Sequence, residues 1–172
     1  DIVRAVSDGQ TDIGIVAGTV RTENLEVIPY RRDRLVLVVP RDHPMAALPS
    51  VAFVDTLELE HIGLHESSAI HAFLRQICSG LHRTIRLRIQ VGNFEAACRM
   101  IEATVGVSVL PESAARRHAE TMAIQIVPLI DDWSLRAMQI CVRSMESLPP
   151  FARDLVTLLI EDARMASEAT AD

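Results

Sequence analysis

Side chains that could bind a metal stand close together in the middle of the chain, at His61, His65, Glu66 and His71. A zinc protease needs two histidines at positions i and i+4 of one helix, with a glutamate beside the first. Here His65 and Glu66 are followed by Ser-Ser-Ala, and His61 and His65 flank a predicted strand, so helical spacing does not pair two imidazoles. We therefore predict solvated or capping histidines, with no metal and no cofactor.

Two serines, Ser67 and Ser68, follow this strand and precede apolar residues that repeat at helical spacing up to Gly80. One of them is the predicted N-cap of that helix. A helix N-terminus also offers unpaired amides and a partial positive charge, which favour an anion. Capping and contact with an anionic ligand are both open, and both hold if one serine caps while its neighbour points into a cleft. Asn93 begins the next predicted helix and has the same two interpretations, with capping favoured.

Another candidate position is the end of an early predicted strand. Asp12 to Val16 has apolar side chains on either side of a glycine, and Ala17 and Gly18 follow in a turn-prone stretch. Open α/β sheets commonly bind ligands at such strand ends. Val16, Ala17 and Gly18 are therefore candidate ligand contacts, although core packing is favoured for Val16.

The elements that position these residues alternate between strand and helix along the chain, which predicts an α/β fold with mainly parallel sheets. The unbroken apolar run Leu35 to Val39 predicts a strand buried on both faces. Residues 84–91 alternate, which predicts one inward face made of Ile85, Leu87, Ile89 and Val91.

The stretch from Asn93 to Glu112 predicts a helix, a glycine turn and a short buried strand. Its predicted apolar stripe consists of four residues at i, i+3, i+4 and i+7: Phe94, Ala97, Cys98 and Ile101. Gly106 is the predicted helix breaker, and Pro111 ends the strand. The last helix begins near Pro149-Pro150, and its predicted apolar stripe is Phe151, Leu155, Leu158 and Leu159.

Composition excludes several classes of protein. The 172 residues are 49% hydrophobic, enough for a real core, and no apolar run is long enough to span a bilayer. A net charge of -6 and 3% aromatic residues argue against binding of nucleic acid by this segment. All 17 basic residues are arginine, so no lysine is present for a phosphate loop or a Schiff base. The cysteines, Cys78, Cys98 and Cys141, are odd in number and widely spaced in apolar patterns, which predicts buried free thiols and a cytoplasmic protein.

Four segments in this order resemble the effector-binding domain of LysR-type transcriptional regulators. They are GQTDIGIV, LVLVVPRDHPMA, IGLHESSAIHAFLRQ and VGNFEAACRMIEATVGVSVLPE. The resemblance covers nearly the whole chain. It implies two Rossmann-like α/β lobes joined by two crossover strands, as in type 2 periplasmic binding proteins, with a small effector in the cleft and no catalytic residue.

On this chain the resemblance implies crossover strands at residues 35–40 and 107–111. Lobe two would be residues 41–106, and lobe one would be residues 1–34 with 112–172. Gly106 shapes the return crossover and joins the predicted effector contacts, which are Ser67, Ser68, Val16, Ala17, Gly18, Asn93 and Gly106.

Two departures from the family pattern affect these expectations. The family's winged helix-turn-helix and linker helix come before this domain, and the domain itself normally starts with a strand, a helix and a second strand that are missing here. Lobe one is therefore expected to be incomplete, with half of the effector site absent. Thr104 stands where relatives commonly have the glycine that ends the long helix.

The expected partners are a small, possibly anionic effector and one or three further copies of the chain, in a homodimer or homotetramer. DNA would be bound only through the missing winged helix-turn-helix, and no membrane is involved. The alternative function is a solute-binding protein or an enzyme of similar two-lobe fold. A basic helix-turn-helix encoded before Asp1 would favour the regulator, and a secretory signal would favour the transporter component.

Overall fold

A computed structural model describes residues 2–22 and 24–169. Asp1, Glu23 and the last three residues, which belong to the predicted lobe one, lie outside the described residues. The strands are β1 Ile13–Ala17, β2 Glu26–Pro40, β3 Glu60–Leu64, β4 Arg86–Val91, β5 Ser108–Pro111, β6 Ile124–Pro128 and β7 Leu135–Val142. The α-helices are α1 Ile2–Ser7, α2 Ala69–Gly80, α3 Phe94–Glu102, α4 Glu112–Ala119 and α5 Pro150–Ala169. Short 3-10 helices span Pro44–Ala47, Phe53–Thr56 and Asp132–Ser134.

Contacts divide the chain into two compact units. Unit 1 consists of Asp1–Asp33 and Leu135–Asp172, and unit 2 is Arg34–Ser134. Residues 112–134, which the sequence analysis assigns to lobe one, group with unit 2 because β6 pairs with the second half of β2. The crossover roles of residues 35–40 and 107–111 stay predictions.

Unit 1 is built on an antiparallel ladder in which Ile13 of β1 lies opposite Val142 of β7. Val6 of α1 packs with Val16 and Cys141, and Gly9, just after the end of α1, has φ +75°, the left-handed conformation that glycine adopts readily after a helix. On the other side, α5 packs against Ile140 and Val142.

The predicted stripe of α5 is wrong at three of its four positions. Leu159 is half-buried and packs against the core, but Phe151, Leu155 and Leu158 are 69%, 47% and 61% exposed, and the helix buries Ala152 and Val156 instead. Two apolar stripes at helical spacing run along this helix. The pattern does not tell which one packs, and the side with the smaller residues is the one that meets the strands.

In unit 2 the second half of β2 is the centre of the core. All five residues from Leu35 to Val39 are fully buried, which confirms the prediction of a strand covered on both faces. This half of β2 pairs antiparallel with β5 on one side and with β6 on the other. A separate two-stranded sheet pairs β3 with β4 in parallel.

Two expectations about the strands are corrected by this topology. Among the described strands, β1 with β7, β2 with β5 and β2 with β6 pair antiparallel, and β3 with β4 pairs in parallel, so the prediction of mainly parallel sheets is wrong. An apolar run shows that a strand is buried but does not encode its direction. Of the residues predicted to face inward, Ile85 and Val91 are half-buried and pack against the core, whereas Leu87 and Ile89 of β4 are 41% and 39% exposed, because among the described strands β4 pairs with β3 alone and its face is partly covered.

Helix α3 matches its predicted pattern. Ala97, Cys98 and Ile101 are fully buried and Phe94 is half-buried. The helix ends at Glu102, and the left-handed turn residue is Thr104 with φ +60°, not the predicted breaker Gly106. All three cysteines are buried free thiols, and burial raises the pKa of Cys98 to about 11. No helix among the described residues has both the length and the apolar character to cross a bilayer.

Candidate functional site

The carboxyl ends of β3 and β4 bring three of the predicted site residues to one edge of a sheet. The strands are parallel, and Leu64, the last residue of β3, lies opposite Val91, the last residue of β4. Each strand leads within a few residues to a helix, so Ser67 and Ser68 precede α2 where Asn93 precedes α3. We call this arrangement the carboxyl edge. It combines two helix N-termini with three polar side chains.

Asn93 is the N-cap of α3, as the sequence favours. Its backbone is extended, with φ -153° and ψ 170°, and its Oδ1 accepts a hydrogen bond from the amide of Ala96 at 2.8 Å. Because the oxygen is used for capping, the side-chain NH₂ group is the part of Asn93 that can donate to a ligand.

The two serines have different partners. Ser68 occupies the N-cap position of α2, but its side chain makes no capping hydrogen bond; its amide donates to the carbonyl of His65 at 2.8 Å. The hydroxyl of Ser67 lies 2.9 Å from Nδ1 of His65, and the Ser67 amide donates to the same nitrogen at 3.3 Å. An amide can only donate, so Nδ1 is an acceptor and the Ser67 hydroxyl donates to it as well. Ser67 is left with oxygen lone pairs, and Ser68 has a hydroxyl that can donate.

His65 therefore holds the loop before α2, a role that the sequence analysis covered only as general capping. The local sequence signal for this contact is a histidine that follows a strand and stands two residues before a serine. Its ring can then reach both the backbone amide and the hydroxyl of that serine. This contact fixes which serine can donate to a ligand.

Gly106 lies elsewhere in unit 2. The amide of Val107 donates to the carbonyl of Glu60 at 2.9 Å, which places Gly106 beside the first residue of β3. The serines follow the last residue of the same strand, about 13 Å further along at ~3.3 Å per residue. Gly106 therefore does not share the carboxyl edge with Ser67 and Ser68.

Val16, Ala17 and Gly18 lie at the end of β1 in unit 1. Val16 is buried in the core, Ala17 pairs with Met138, and the Gly18 amide donates to the carbonyl of Ala137 at 2.7 Å. Core packing is thus the observed role of Val16. A contact of these three residues with a ligand stays a prediction.

The central histidines are dispersed rather than clustered. His61 is buried, lies 2.9 Å through Nε2 from the carbonyl of Thr56, and meets the Phe53 ring edge to face at 6.4 Å. His71 is buried in α2, while His65 holds its exposed loop. In the part of the chain that the structure describes, no three His, Cys, Asp or Glu side chains are placed to hold a metal ion.

Burial lowers the pKa of His61, since desolvation outweighs the hydrogen bond to Thr56 and the charge of Glu60. The unfolded chain then binds a proton near pH 6.5 that the folded chain does not, so stability is complete above about pH 6.5 and falls below it. We expect the wild-type free energy of unfolding to fall between pH 7.5 and pH 5, by at most ~1.4 kcal/mol per pH unit for this group.

Urea denaturation at several pH values measures this dependence. His61→Gln keeps a donor for the Thr56 carbonyl, and its free energy of unfolding should change less with pH over the same range. His43, whose pKa is also lowered by burial, is unchanged in both proteins and cancels in the comparison. Parallel profiles for the two proteins would contradict a titrating role for His61.

Comparison with known proteins places these features in one family. The family model described as LysR substrate binding domain matches residues 1–164. A probable RuBisCO transcriptional regulator of Nostoc sp. is 27% identical over 131 residues, which are 73% of this chain and 39% of that protein. An HTH-type transcriptional regulator of Methanocaldococcus jannaschii is 30% identical over 131 residues, 74% of this chain and 44% of that protein. The chain thus spans about two-fifths of the length of these relatives.

Solved structures show the same fold. The regulatory domain of Synechocystis CcmR in complex with 2-PG aligns with a TM-score of 0.77 and 18% identity, covering 93% of this chain and 77% of that one. The effector-binding domain of QuiR in complex with shikimate gives a TM-score of 0.75 and 16% identity, covering 95% and 77%. These domains have the two-lobe fold of periplasmic binding proteins, which confirms the predicted fold class. With a family model that matches almost from end to end, the chain belongs to the LysR substrate-binding domain family.

Proposed function

We propose that this chain is the effector-sensing part of a LysR-type transcriptional regulator, and that a small anionic molecule binds at the carboxyl edge. The observation that carries this proposal is the parallel pairing of Leu64 with Val91, which puts the N-termini of α2 and α3 side by side. Helix N-termini attract anions through their unpaired amides and partial positive charge. The relatives named above are transcriptional regulators, which supports a sensing role rather than catalysis.

The hydrogen-bonding groups at this edge define the ligand. The Ser68 hydroxyl, the Asn93 amide group and the first-turn amides of α2 are donors, whereas the Ser67 oxygen is an acceptor. A small acid that also carries a hydroxyl group would use both kinds of partner. The carboxylate of Glu95, in the first turn of α3, would repel a ligand that carries more than a small negative charge. Shikimate, the ligand named for QuiR, is a hydroxy acid of this type, whereas the 2-PG named for CcmR has more negative charge and no free hydroxyl group, so the two are suitable first probes that differ in both properties.

In the whole regulator, DNA binding belongs to a winged helix-turn-helix outside this chain, and the regulator works in the cytoplasm as a homodimer or homotetramer. The effector acts by binding one conformation or assembly more tightly than another, since equal affinity would shift nothing. A solute-binding protein or an enzyme is the alternative. Probe recovered unchanged after long incubation with the protein is expected for a sensor, and conversion of the probe would support the enzyme.

Isothermal titration calorimetry with shikimate and with 2-phosphoglycolate tests the site. Ser68→Ala removes a donor hydroxyl without breaking a capping bond, and we expect it to weaken binding about 10- to 150-fold, the value of one hydrogen bond to a charged group. The matched control is Ser79→Ala, an exposed serine near the other end of α2, which should bind as the wild type does.

A second variant separates the roles of the two serines. Ser67→Ala removes the partner of His65 and should weaken binding less than Ser68→Ala, because the Ser67 proton is already used within the loop. Equal affinity in the wild type and in the Ser67→Ala, Ser68→Ala double variant would remove these serines from the site.

A further inference from the structure

We propose that unit 2 carries a second ligand site, for a small molecule bearing a phosphate or carboxylate group, in a cavity beside the amino end of β3. Arg41, His43 and Arg88 supply the hydrogen-bond donors of this site. It shares no residue with the carboxyl edge and does not depend on the function proposed above.

The cavity has a volume of about 600 Å³, within the range of small-molecule sites. Its walls are residues 40–44, the start of β3 at Leu59 and Glu60, the turn 104–107, and single side chains from β4 and α3. All of these belong to unit 2. Gly106, which the sequence analysis included among the ligand contacts, lines this cavity rather than the carboxyl edge.

Two arginines of the cavity have unused hydrogen-bonding capacity. Arg88 makes no ion pair or hydrogen bond within the described residues, although its neighbour Arg86 binds Glu60 at 2.7 Å and the Glu58 carbonyl at 3.1 Å. Arg41 donates one long bond, 3.4 Å, to the carbonyl of Met122. A guanidinium has five donors arranged to match an oxyanion, so both side chains are suited to bind one.

The acidic side chains of the wall are mostly occupied by other partners. Glu60 is paired with Arg86. Glu102 accepts from the Ala123 amide at 2.8 Å and from Arg99 at 3.1 Å, and these bonds, the amide first, lower its pKa, with a smaller contribution from the charge of Arg41. Asp42 is the remaining acidic side chain in the wall. Neither arginine is ion-paired with these carboxylates among the described residues, although the charge of Arg41 acts on Glu102, so Arg88 is the more available of the two for an anion.

His43 adds a third donor. Its Nδ1 accepts a hydrogen bond from the Met45 amide at 3.1 Å, which assigns the proton of the neutral ring to Nε2. His43 also lines the cavity. The cavity is thus lined by three donor side chains from two separate segments and is large enough for a ligand. Such a lining favours an anionic oxygen group over an apolar or cationic ligand.

Titration of the ¹⁵N-labelled protein with inorganic phosphate, and in parallel with acetate, tests this site at constant ionic strength. We expect saturable amide shifts in residues 41–43 and 104–107. Arg88→Gln, which breaks no contact in the described residues, should weaken binding about tenfold, and Arg41→Gln with Arg88→Gln should weaken it further. Arg75→Gln, an exposed arginine of α2 outside the cavity, is the matched control and should behave as the wild type.

The two arms distinguish the source of the anionic group. Saturation by phosphate at lower concentration than by acetate identifies a phosphate ligand, and the reverse order identifies a carboxylate. The Ser67→Ala, Ser68→Ala variant should keep the shifts of residues 104–107, whatever happens at the carboxyl edge. Shifts that grow linearly without saturating, that are equal in Arg88→Gln, or that disappear in the serine variant would overturn the second site.

Discussion

Phe53→Ala is expected to lower the free energy of unfolding by about 3 to 5 kcal/mol, the usual effect of emptying a buried aromatic site. Phe53 is fully buried in unit 2 and meets the ring of Trp133 edge to face at 5.4 Å. Trp133 meets Phe73 in the same way at 5.5 Å, so Trp133, the central member of this aromatic group, would lose one of its two ring contacts. Little can fill the space, because the Phe53 backbone is held by a 2.8 Å hydrogen bond from its amide to Asp131.

Urea denaturation followed by circular dichroism and by fluorescence of Trp133, the single tryptophan, measures this change in unit 2. The control is Val54→Ala, since Val54 is the next residue in the same 3-10 helix and is 38% exposed. It should lose less than about 1 kcal/mol. A loss for Phe53→Ala no larger than that of Val54→Ala would show that the aromatic group does not hold this unit together.

Two substitutions in the turn between α3 and β5 are expected to change the stability of the protein in opposite directions. Gly106→Ala should destabilise the protein by roughly 1 to 3 kcal/mol, because the added Cβ would lie 2.5 Å from the carbonyl oxygen of Glu60. Backbone cannot move aside as a flexible side chain would, and that carbonyl already accepts from Val107. Thr104→Gly should stabilise it by roughly 0.5 to 1 kcal/mol, because a β-branched residue at φ +60° is strained.

Thermal unfolding of the two variants, side by side with the wild type, checks this pair. We expect the midpoint to fall for Gly106→Ala and to rise by about 1 to 4 °C for Thr104→Gly. Gly80→Ala is a useful control, because a Cβ at Gly80 meets no atom within 4 Å. A Gly106→Ala midpoint equal to that of Gly80→Ala would contradict the close approach of Gly106 to β3.

The sequence predicted those parts of the fold that depend on local periodicity. The stripe of α3 and the five buried residues from Leu35 to Val39 follow from the spacing of apolar residues alone. It failed where a choice depends on distant partners, as in α5, where Val156 rather than Leu158 meets the strands. The left-handed turn at Thr104 does not follow from the local pattern, because glycine is the usual signal for it and threonine is not, and only the family resemblance pointed to that position.

The candidate sites show the same limit. Ser68 and Asn93 were found because N-cap residues mark helix starts, but their shared edge requires the parallel pairing of β3 and β4, which no local pattern encodes. The bond between His65 and Ser67 decides which hydroxyl is a donor, and it depends on loop geometry. Arg41 and Arg88 are far apart in sequence and lie in segments with no common pattern, so only the folded chain relates them to one cavity.

The division of the chain into a continuous and a discontinuous unit has a consequence for synthesis. Unit 2 is one unbroken stretch, whereas unit 1 needs β1 from near the start of the chain and β7, which begins at Leu135. At ribosomal rates of ~5 to 20 residues per second, the roughly one hundred intervening residues take about 5 to 20 s to emerge. Over that time β1 has no β7 to pair with, and its apolar side chains are exposed. Unit 2 can therefore complete its core on the ribosome before β7 emerges to complete unit 1.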